Sequence, residues 1–190
     1  MVAQLSTSST DKQPAMSRTF MLALLLLLLS YGTTAWPQGS LWEQPGDIEI
    51  HIDPLSTIDQ HFMSEQRAKV DNLAGRLGRR LTGNRDRDIE TLQMILDRNF
   101  INRDDTLSLQ AMGISLGDLI AKELRMNWVV YQDRAGRSRA LQYRNEPIYL
   151  FPITMISRRY EAGNNRPITD IYNEVVAATR KKLPGASWWQ

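Results

Sequence analysis

The sequence predicts an α+β domain in which N-terminal helices are followed by a three-stranded antiparallel β-meander and two C-terminal helices. Apolar residues recur at helical spacing up to about residue 124. Three short runs rich in β-branched and aromatic residues follow with short links, and helical spacing returns after Pro152. Because helices and strands are segregated along the chain, an α+β fold is favoured over a parallel α/β sheet. We expect a single domain over residues 56–184.

Three helices are predicted before the strands. Ser56 with Asp59 three residues later forms a capping-box pattern at the start of the first helix. The predicted buried faces are Ile58, Phe62, Val70, Leu73 and Leu77 in the first helix, Ile89, Leu92, Ile95 and Leu96 in the second, and Met112, Leu116, Leu119, Ile120 and Leu124 in the third.

Gly113 and Gly117 lie four residues apart inside the third helix. Each glycine destabilises a helix interior by up to about 1 kcal/mol. We therefore expect another part of the backbone to approach this helix closely enough to offset that loss.

The strands are predicted from the change of period after this helix. Trp128–Gln132 forms the first strand, and Asp133 and Gly136 bound the turn that follows. In residues 140–144, Leu141 and Tyr143 should be buried, while Gln142 and Arg144 should face solvent. Residues 147–151 form the third strand. A further short strand is expected at residues 47–53, inside an extended lead-in over 36–55.

Two helices should close the domain. Pro152 stands at the entry of the first and Gly163 at its exit, which is the usual placement of these residue types. The second has a predicted apolar face of Ile171, Tyr172, Val175, Val176 and Thr179.

The N-terminus has the pattern of a secretory signal peptide over residues 1–35. Lys12 and Arg18 precede a short apolar run over 20–29, and small residues lead to a cleavage site after Ala35. Met16 is an alternative start. We expect export; the alternative is an uncleaved leader that anchors the protein in a membrane.

Composition excludes several chemistries. The chain has no cysteine, so disulfides, thiol nucleophiles and thiolate metal sites are excluded. Removing a leader that carries Lys12, Arg18 and Asp11 lowers the formal net charge from +2 to +1, which does not favour nucleic acid as a partner. No glycine-rich phosphate loop follows a strand, and no cofactor is predicted.

Residues 113–183 resemble a bacterial family catalogued as domain of unknown function 3806. The resemblance lies in "LGDLIAKEL", "NWVVYQDRAGRSRAL", "LFPITMISRR" and "DIYNEVVA". It covers a little over a third of the chain, and extends more loosely to the two preceding helices. It implies an α+β domain in bacterial proteins and carries no catalytic residue, substrate or cofactor.

Arginines provide the first candidate binding site. Arg134, Arg137, Arg139 and Arg144 lie on or beside the predicted hairpin, where guanidinium groups could bind phosphate or carboxylate groups. The alternative is a solvated hairpin end, with Asp133 and Glu146 neutralising part of the charge. Arg158, beside Arg159, is a further candidate, and one of these two could instead pair with Asp118 or Glu123.

The basic and aromatic C-terminus is the second candidate contact region. Lys181 and Lys182 are followed by Trp188 and Trp189 in a tail at 185–190. These residues could contact an anionic membrane surface or a protein partner. Alternatively, the tryptophans pack back onto the domain.

Metal and hydrolytic sites lack a specific motif. His51, Asp53, Asp59, His61 and Glu65 are close in sequence, but the chain has no H-E-x-x-H pattern, and no metal site is predicted. Asp104 with Asp105, or Asp118 with Glu123, could in principle provide paired carboxylates.

These observations favour an exported, non-catalytic binding or interaction domain. Given the bacterial resemblance, we expect it in the periplasm, or anchored in the inner membrane if the leader is not cleaved. The partner would be an envelope protein or an anionic envelope component, and the sequence specifies no oligomeric state. The alternative is a periplasmic hydrolase that acts on envelope material through carboxylates.

Overall fold

A computed structural model of the chain describes residues 49–185. Its elements in chain order are β1 (His51–Pro54), α1 (Thr57–Gly75), α2 (Arg85–Asp97), α3 (Thr106–Leu124), β2 (Met126–Asp133), β3 (Gly136–Tyr143), β4 (Tyr149–Leu150), α4 (Ile153–Glu161) and α5 (Ile168–Arg180). The α+β fold predicted from the sequence is confirmed. The predicted leader, the first part of the lead-in, Trp188 and Trp189 lie outside the described residues. None of the helices in residues 49–185 has both the length and the apolar character needed to cross a membrane.

The four strands form one antiparallel sheet in the order β1-β2-β3-β4. The meander is β2-β3-β4, as predicted. The short strand expected before Pro54 pairs with β2 through His51 opposite Gln132, and it adds a fourth strand at the edge. In the hairpin, Trp128 lies opposite Leu141, and Val130 lies opposite Arg139.

Helix α3 is the centre of the fold. Twelve of its nineteen residues are buried, so it is apolar around most of its circumference, as a core helix must be. It contacts α1, α4, α5 and the strands β2 and β3. The predicted buried faces of α2 and α3 are confirmed, and in α5 Ile171, Tyr172, Val176 and Thr179 are buried.

The two glycines of α3 mark close approaches. A Cβ at Gly113 would lie 2.4 Å from the carbonyl oxygen of Ile153, so the start of α4 crosses α3 there at backbone contact. A Cβ at Gly117 would lie 2.5 Å from Cζ2 of Trp128 and 2.8 Å from Cβ of Pro152. The expected close approach is therefore confirmed, with an indole ring as the second neighbour.

Two predictions of burial are wrong. Ile58 is 80% exposed, because the next residue, Asp59, occupies the buried position at the start of α1. Gln142 is 8% exposed, although alternation placed it in solvent. Its amide donates to Glu146 O and Tyr149 Oη, and thus β4 covers it.

The aromatic residues near Gln142 form their own cluster. Tyr131 makes edge-to-face contacts with Tyr149, at 5.0 Å between ring centroids, and with Phe151, at 5.2 Å. Such pairs stabilise beyond the burial of their area. These three aromatic rings cover the face of the sheet that the alternation in residues 140–144 predicts to be exposed to solvent.

Candidate functional site

A cavity of about 440 Å³ lies between α1, α2 and α3 and is closed at one end by the loop before α2. The spacing of its lining residues explains its position, because residues three and four apart share one face of a helix. The lining residues are Ser64, Arg67, Ala68 and Asp71 from α1, Leu81 and Gly83 from the loop, Asp88 and Leu92 from α2, and Ser115, Asp118 and Leu119 from α3. The volume is within the range of about 300–1,000 Å³ usual for small-molecule sites.

A paired charge forms one wall of this cavity. Arg67 donates to Asp118 twice, from Nε to Oδ2 at 2.6 Å and from Nη2 to Oδ1 at 2.9 Å. Trp128 Nε1 also donates to Asp118 Oδ1, at 2.9 Å. The Asp118 side chain raises the pKa of Arg67 through these hydrogen bonds. The bidentate geometry fixes both side chains and joins α1, α3 and β2 at this wall.

The loop wall is held by Asp88, which is buried in the first turns of α2. Its carboxylate accepts from the backbone N–H of Thr82 at 3.0 and 3.1 Å and from that of Gly83 at 2.6 Å. Lys122 Nζ donates to Gly83 O at 2.9 Å from the other side. Because Thr82 and Gly83 are bonded to α2 through Asp88 and to α3 through Lys122, this wall is preformed.

Ser115 contributes a buried hydroxyl without a partner. The residue is 6% exposed, and its Oγ makes no hydrogen bond within the described part of the chain. Two buried threonines instead pair their hydroxyls within the helix: Thr91 Oγ1 donates to Arg87 O and Thr179 Oγ1 donates to Val175 O, each at 2.7 Å and four residues back. Tyr172 Oη, which does not line the cavity, is the other buried hydroxyl without a partner in residues 49–185. A buried polar group left unpaired is unusual and destabilising, which makes Ser115 the exceptional residue of this wall.

The cavity is negatively charged. Asp71, Asp88 and Asp118 line it together with a single arginine, Arg67. Asp71 lies at the exposed side, and its Oδ1 accepts from Leu81 N at 3.1 Å. Three buried or half-buried leucines, at 81, 92 and 119, complete the lining with apolar surface.

The predicted arginine site is divided among three locations. Arg137 donates to Asp59 through Nη1 and Nη2 at 3.1 and 2.6 Å, and Arg139 Nε donates to it at 2.9 Å. Arg139 also stacks 4.3 Å from the centroid of Phe62. Arg134 lies in the turn at the hairpin tip, whereas Arg144 follows the other end of β3, against the ring of Tyr143. The four arginines therefore do not converge on one point.

The hydrogen bonds from Arg137 strongly lower the pKa of Asp59, despite its burial. The suggested neutralisation by Asp133 and Glu146 is replaced, for Arg137 and Arg139, by this buried aspartate. The sequence indicates Asp59 as part of a helix cap. Its ion pairs with Arg137 and Arg139 could not be predicted from the sequence, because the hairpin is almost eighty residues away.

The other predicted contact residues lie apart from the cavity. Arg158 is exposed on α4, while Arg159 donates to Met155 O at 2.8 Å. The suggested pairing of either with Asp118 or Glu123 is wrong, because Asp118 pairs with Arg67 and Glu123 with Arg180. Lys181 and Lys182 are exposed at the C-terminal end of α5.

The predicted carboxylate pairs occupy structural positions. Asp105 caps α3 by accepting from Ser108, and these hydrogen bonds lower its pKa. Asp118 and Glu123 are five residues apart on α3 and so face different sides of the helix.

The two histidines each lie beside a glutamate. His51 Nε2 is 3.3 Å from Glu49 Oε1, and His61 Nε2 is 3.3 Å from Glu65 Oε1. Residues 49–185 contain no group of three His, Cys, Asp or Glu side chains placed to hold a metal ion.

The sequence predicts no site at the cavity, and of the polar residues that line it, only Asp118 is named from the sequence, as an ion-pair partner or one of a carboxylate pair. Ser64, Arg67, Ala68 and Asp71 follow helical spacing, as do Ser115, Asp118 and Leu119, and two such polar stripes on neighbouring helices are a weak signal of a shared site. The decisive contact, Arg67 with Asp118, spans 51 residues and is visible only in the fold.

Comparison with known proteins gives a family match over part of the chain and a similar fold. Residues 88–172 match the family model described as Domain of unknown function (DUF3806), which confirms the resemblance seen in the sequence. The match includes Asp88, Ser115 and Asp118 but not the residues of α1.

One solved structure is similar, a crystal structure of a protein from Bacteroides thetaiotaomicron VPI-5482. It matches with a TM-score of 0.61 and 18% sequence identity, over 71% of this chain and 50% of that chain. The present chain thus spans about half the length of that protein. At this identity the likeness shows the fold alone. No curated protein matches the sequence.

Proposed function

We propose that this chain is a non-catalytic binding domain, exported to the bacterial envelope, and that the cavity between α1, α2 and α3 is its ligand site. The observation that carries the proposal is the preformed cavity of about 440 Å³ with an unpartnered buried hydroxyl, that of Ser115, in its wall. A ligand group is a natural partner for such a hydroxyl, because leaving it unpaired destabilises the free protein. The N-terminal leader pattern supports export.

The arginine hairpin is a less suitable site. Arg137 and Arg139 both donate to Asp59, which leaves fewer of their N–H groups for a phosphate or carboxylate ligand. We therefore assign the binding function to the cavity. An envelope protein or an anionic envelope component would be a separate partner, for which Lys181 and Lys182 are exposed.

The carboxyl groups with a displaced pKa have structural roles, and none of them lines the cavity. A carboxylic acid catalyst needs a pKa raised towards neutrality. Among the described carboxyl groups with a displaced pKa, namely Asp59, Asp86, Glu90 and Asp105, every displacement is downward, through hydrogen bonds from arginine or serine. These groups act as fixed anions.

The proposal is tested by blocking the cavity. Ala68 is exposed at the cavity wall, so Ala68→Trp should obstruct it without disturbing the core, and Asn72→Trp places the same ring on an exposed position of α1 outside the cavity. The full chain and both variants are purified, and their melting temperatures are measured with the dialysable fraction of a bacterial envelope extract. The wild type and Asn72→Trp should be stabilised. Equal stabilisation of Ala68→Trp would contradict the proposal.

A further inference from the structure

We propose that the cavity binds a small cationic amphipathic ligand, a primary amine attached to an apolar chain. This inference rests on the proposed function and specifies the ligand class of the same site. It follows from three properties of the lining: its charge, its unused hydrogen-bonding groups and the position of its leucines.

The charge of the lining favours a cation. Arg67 is committed to Asp118 by two hydrogen bonds, so this pair contributes no net charge. Asp88 and Asp71 remain, and two carboxylates in one cavity attract an ammonium group and repel an anionic ligand. Lys122 Nζ donates to the uncharged Gly83 carbonyl at the loop wall and keeps its positive charge, which offsets one of these two carboxylates and leaves one net negative charge.

The unused hydrogen-bonding groups identify where an ammonium group would be held. The Asp88 carboxylate accepts from backbone N–H groups of the loop at both oxygens. Asp71 uses Oδ1 for Leu81 N, and no hydrogen bond to its Oδ2 occurs among residues 49–185. Ser115 Oγ is likewise unpartnered. An ammonium group has three donors and no acceptor, and so it matches acceptors of this kind.

The leucines of the lining indicate that the rest of the ligand is an apolar chain. Leu92 and Leu119 are buried in the walls, and Leu81 is half-buried in the loop. A short alkyl chain displaces water from this surface, and each buried CH₂ group contributes about 0.8 kcal/mol. An amine on an apolar chain therefore uses both parts of the lining, whereas a fully polar cation uses only one.

Three probes of equal length separate charge from apolar contact. Hexylamine, hexan-1-ol and hexanoate are titrated at neutral pH into the purified full chain, and binding is followed by calorimetry. We expect hexylamine to bind about tenfold more tightly than hexan-1-ol, as one charge-assisted hydrogen bond implies, and hexanoate to bind most weakly. Asp71→Asn should weaken hexylamine binding about fivefold to tenfold and leave hexan-1-ol binding nearly unchanged, because only the amine is charged. Ser115→Ala should weaken hexylamine binding about fivefold to tenfold.

Control variants test the location. Asp97→Asn removes one exposed negative charge outside the cavity and should not change hexylamine affinity, while Ala68→Trp should abolish binding. Hexanoate binding as tightly as hexylamine would overturn the ligand class and leave the proposed function standing. Hexylamine affinity unchanged in Asp71→Asn would overturn the inference as well. If no probe binds, the inference fails, and the extract experiment then decides the proposed function separately.

Discussion

Arg137 Nη2 lies 2.6 Å from Asp59 Oδ2, across 78 residues of sequence. The same carboxylate accepts from Ser56 N at 3.2 Å and Ser56 Oγ at 2.6 Å, which completes the capping box of α1. A single side chain thus starts a helix and ties that helix to the β2–β3 hairpin. Arg137 and Arg139 consequently belong to the structural framework.

Replacing Asp59 with Asn should lower the free energy of unfolding by about 3 kcal/mol, because it leaves Arg137 and Arg139 facing an uncharged group. Asp59 is 1% exposed, so water cannot easily replace the lost charge. Glu174→Gln is the matched control, since its ion pair with Arg166 is exposed and should contribute less than about 1 kcal/mol. Urea denaturation of both variants measures the difference. Equal losses would contradict the structural role of Asp59.

Stability should also depend on pH through Asp59. Its pKa is lowered in the folded state, so the unfolded chain binds a proton more readily as the pH falls. The contribution of Asp59 is therefore fully present above about pH 5 and declines as the pH falls below the ordinary aspartate pKa of about 3.9. The stability difference between wild type and Asp59→Asn should shrink in that acidic range, and calorimetric melting at several pH values checks it. A difference that stays constant down to strongly acidic pH would contradict the lowered pKa.

Gly113→Ala should destabilise the domain by about 2 kcal/mol, although alanine is the better helix former by about 1 kcal/mol. The new methyl group would lie 2.4 Å from Ile153 O and 2.6 Å from Pro152 O, and backbone atoms cannot move aside as a side-chain end could. Gly75→Ala, which meets no atom within 4 Å, should instead stabilise by about 0.5–1 kcal/mol. Thermal melts of the two variants should shift in opposite directions. A neutral Gly113→Ala would mean that α3 and α4 are not in backbone contact.

Ser115→Ala should raise the free energy of unfolding by about 1 kcal/mol in the absence of ligand, because it removes a buried hydroxyl without a partner. Ser108→Ala, on the same helix, should lower it by about 1 kcal/mol, because the Ser108 hydroxyl donates to Asp105. Chemical denaturation compares the two. A loss of stability in Ser115→Ala would show that this hydroxyl is already satisfied, and the argument for a ligand at that wall would lose its main support.

The sequence predicted the fold better than it predicted the site, and the reason is physical. Helical and strand periodicities are local, so the buried faces of α2 and α3, the capping box at Ser56 and the meander could be read directly. The meaning of Gly113 and Gly117 could also be inferred, because unfavourable helix residues require a compensating contact. Ile58 and Gln142 were misplaced, since a distant ion pair and a covering strand overrode the local pattern.

The site depends on contacts that no local pattern encodes. Arg67 and Asp118 are unremarkable charged residues on two separate helices until those helices pack side by side. Ser115 becomes notable only when the hydrogen bonds of the described residues show that it has none. Clustered charges in the sequence predicted binding sites at the hairpin and the C-terminus. The cavity lining instead consists of single polar residues spaced three or four apart, which no charge cluster marks.

The most direct test of the cavity as the ligand site is a two-dimensional ¹H–¹⁵N NMR titration of the protein with hexylamine. We expect the amide shifts to concentrate at residues that line the cavity, namely Ser64, Asp71, Gly83, Ser115 and Asp118. Shifts confined to the hairpin around Arg137 and Arg139, or to Lys181 and Lys182, would contradict this expectation and would return the binding function to the charged surfaces.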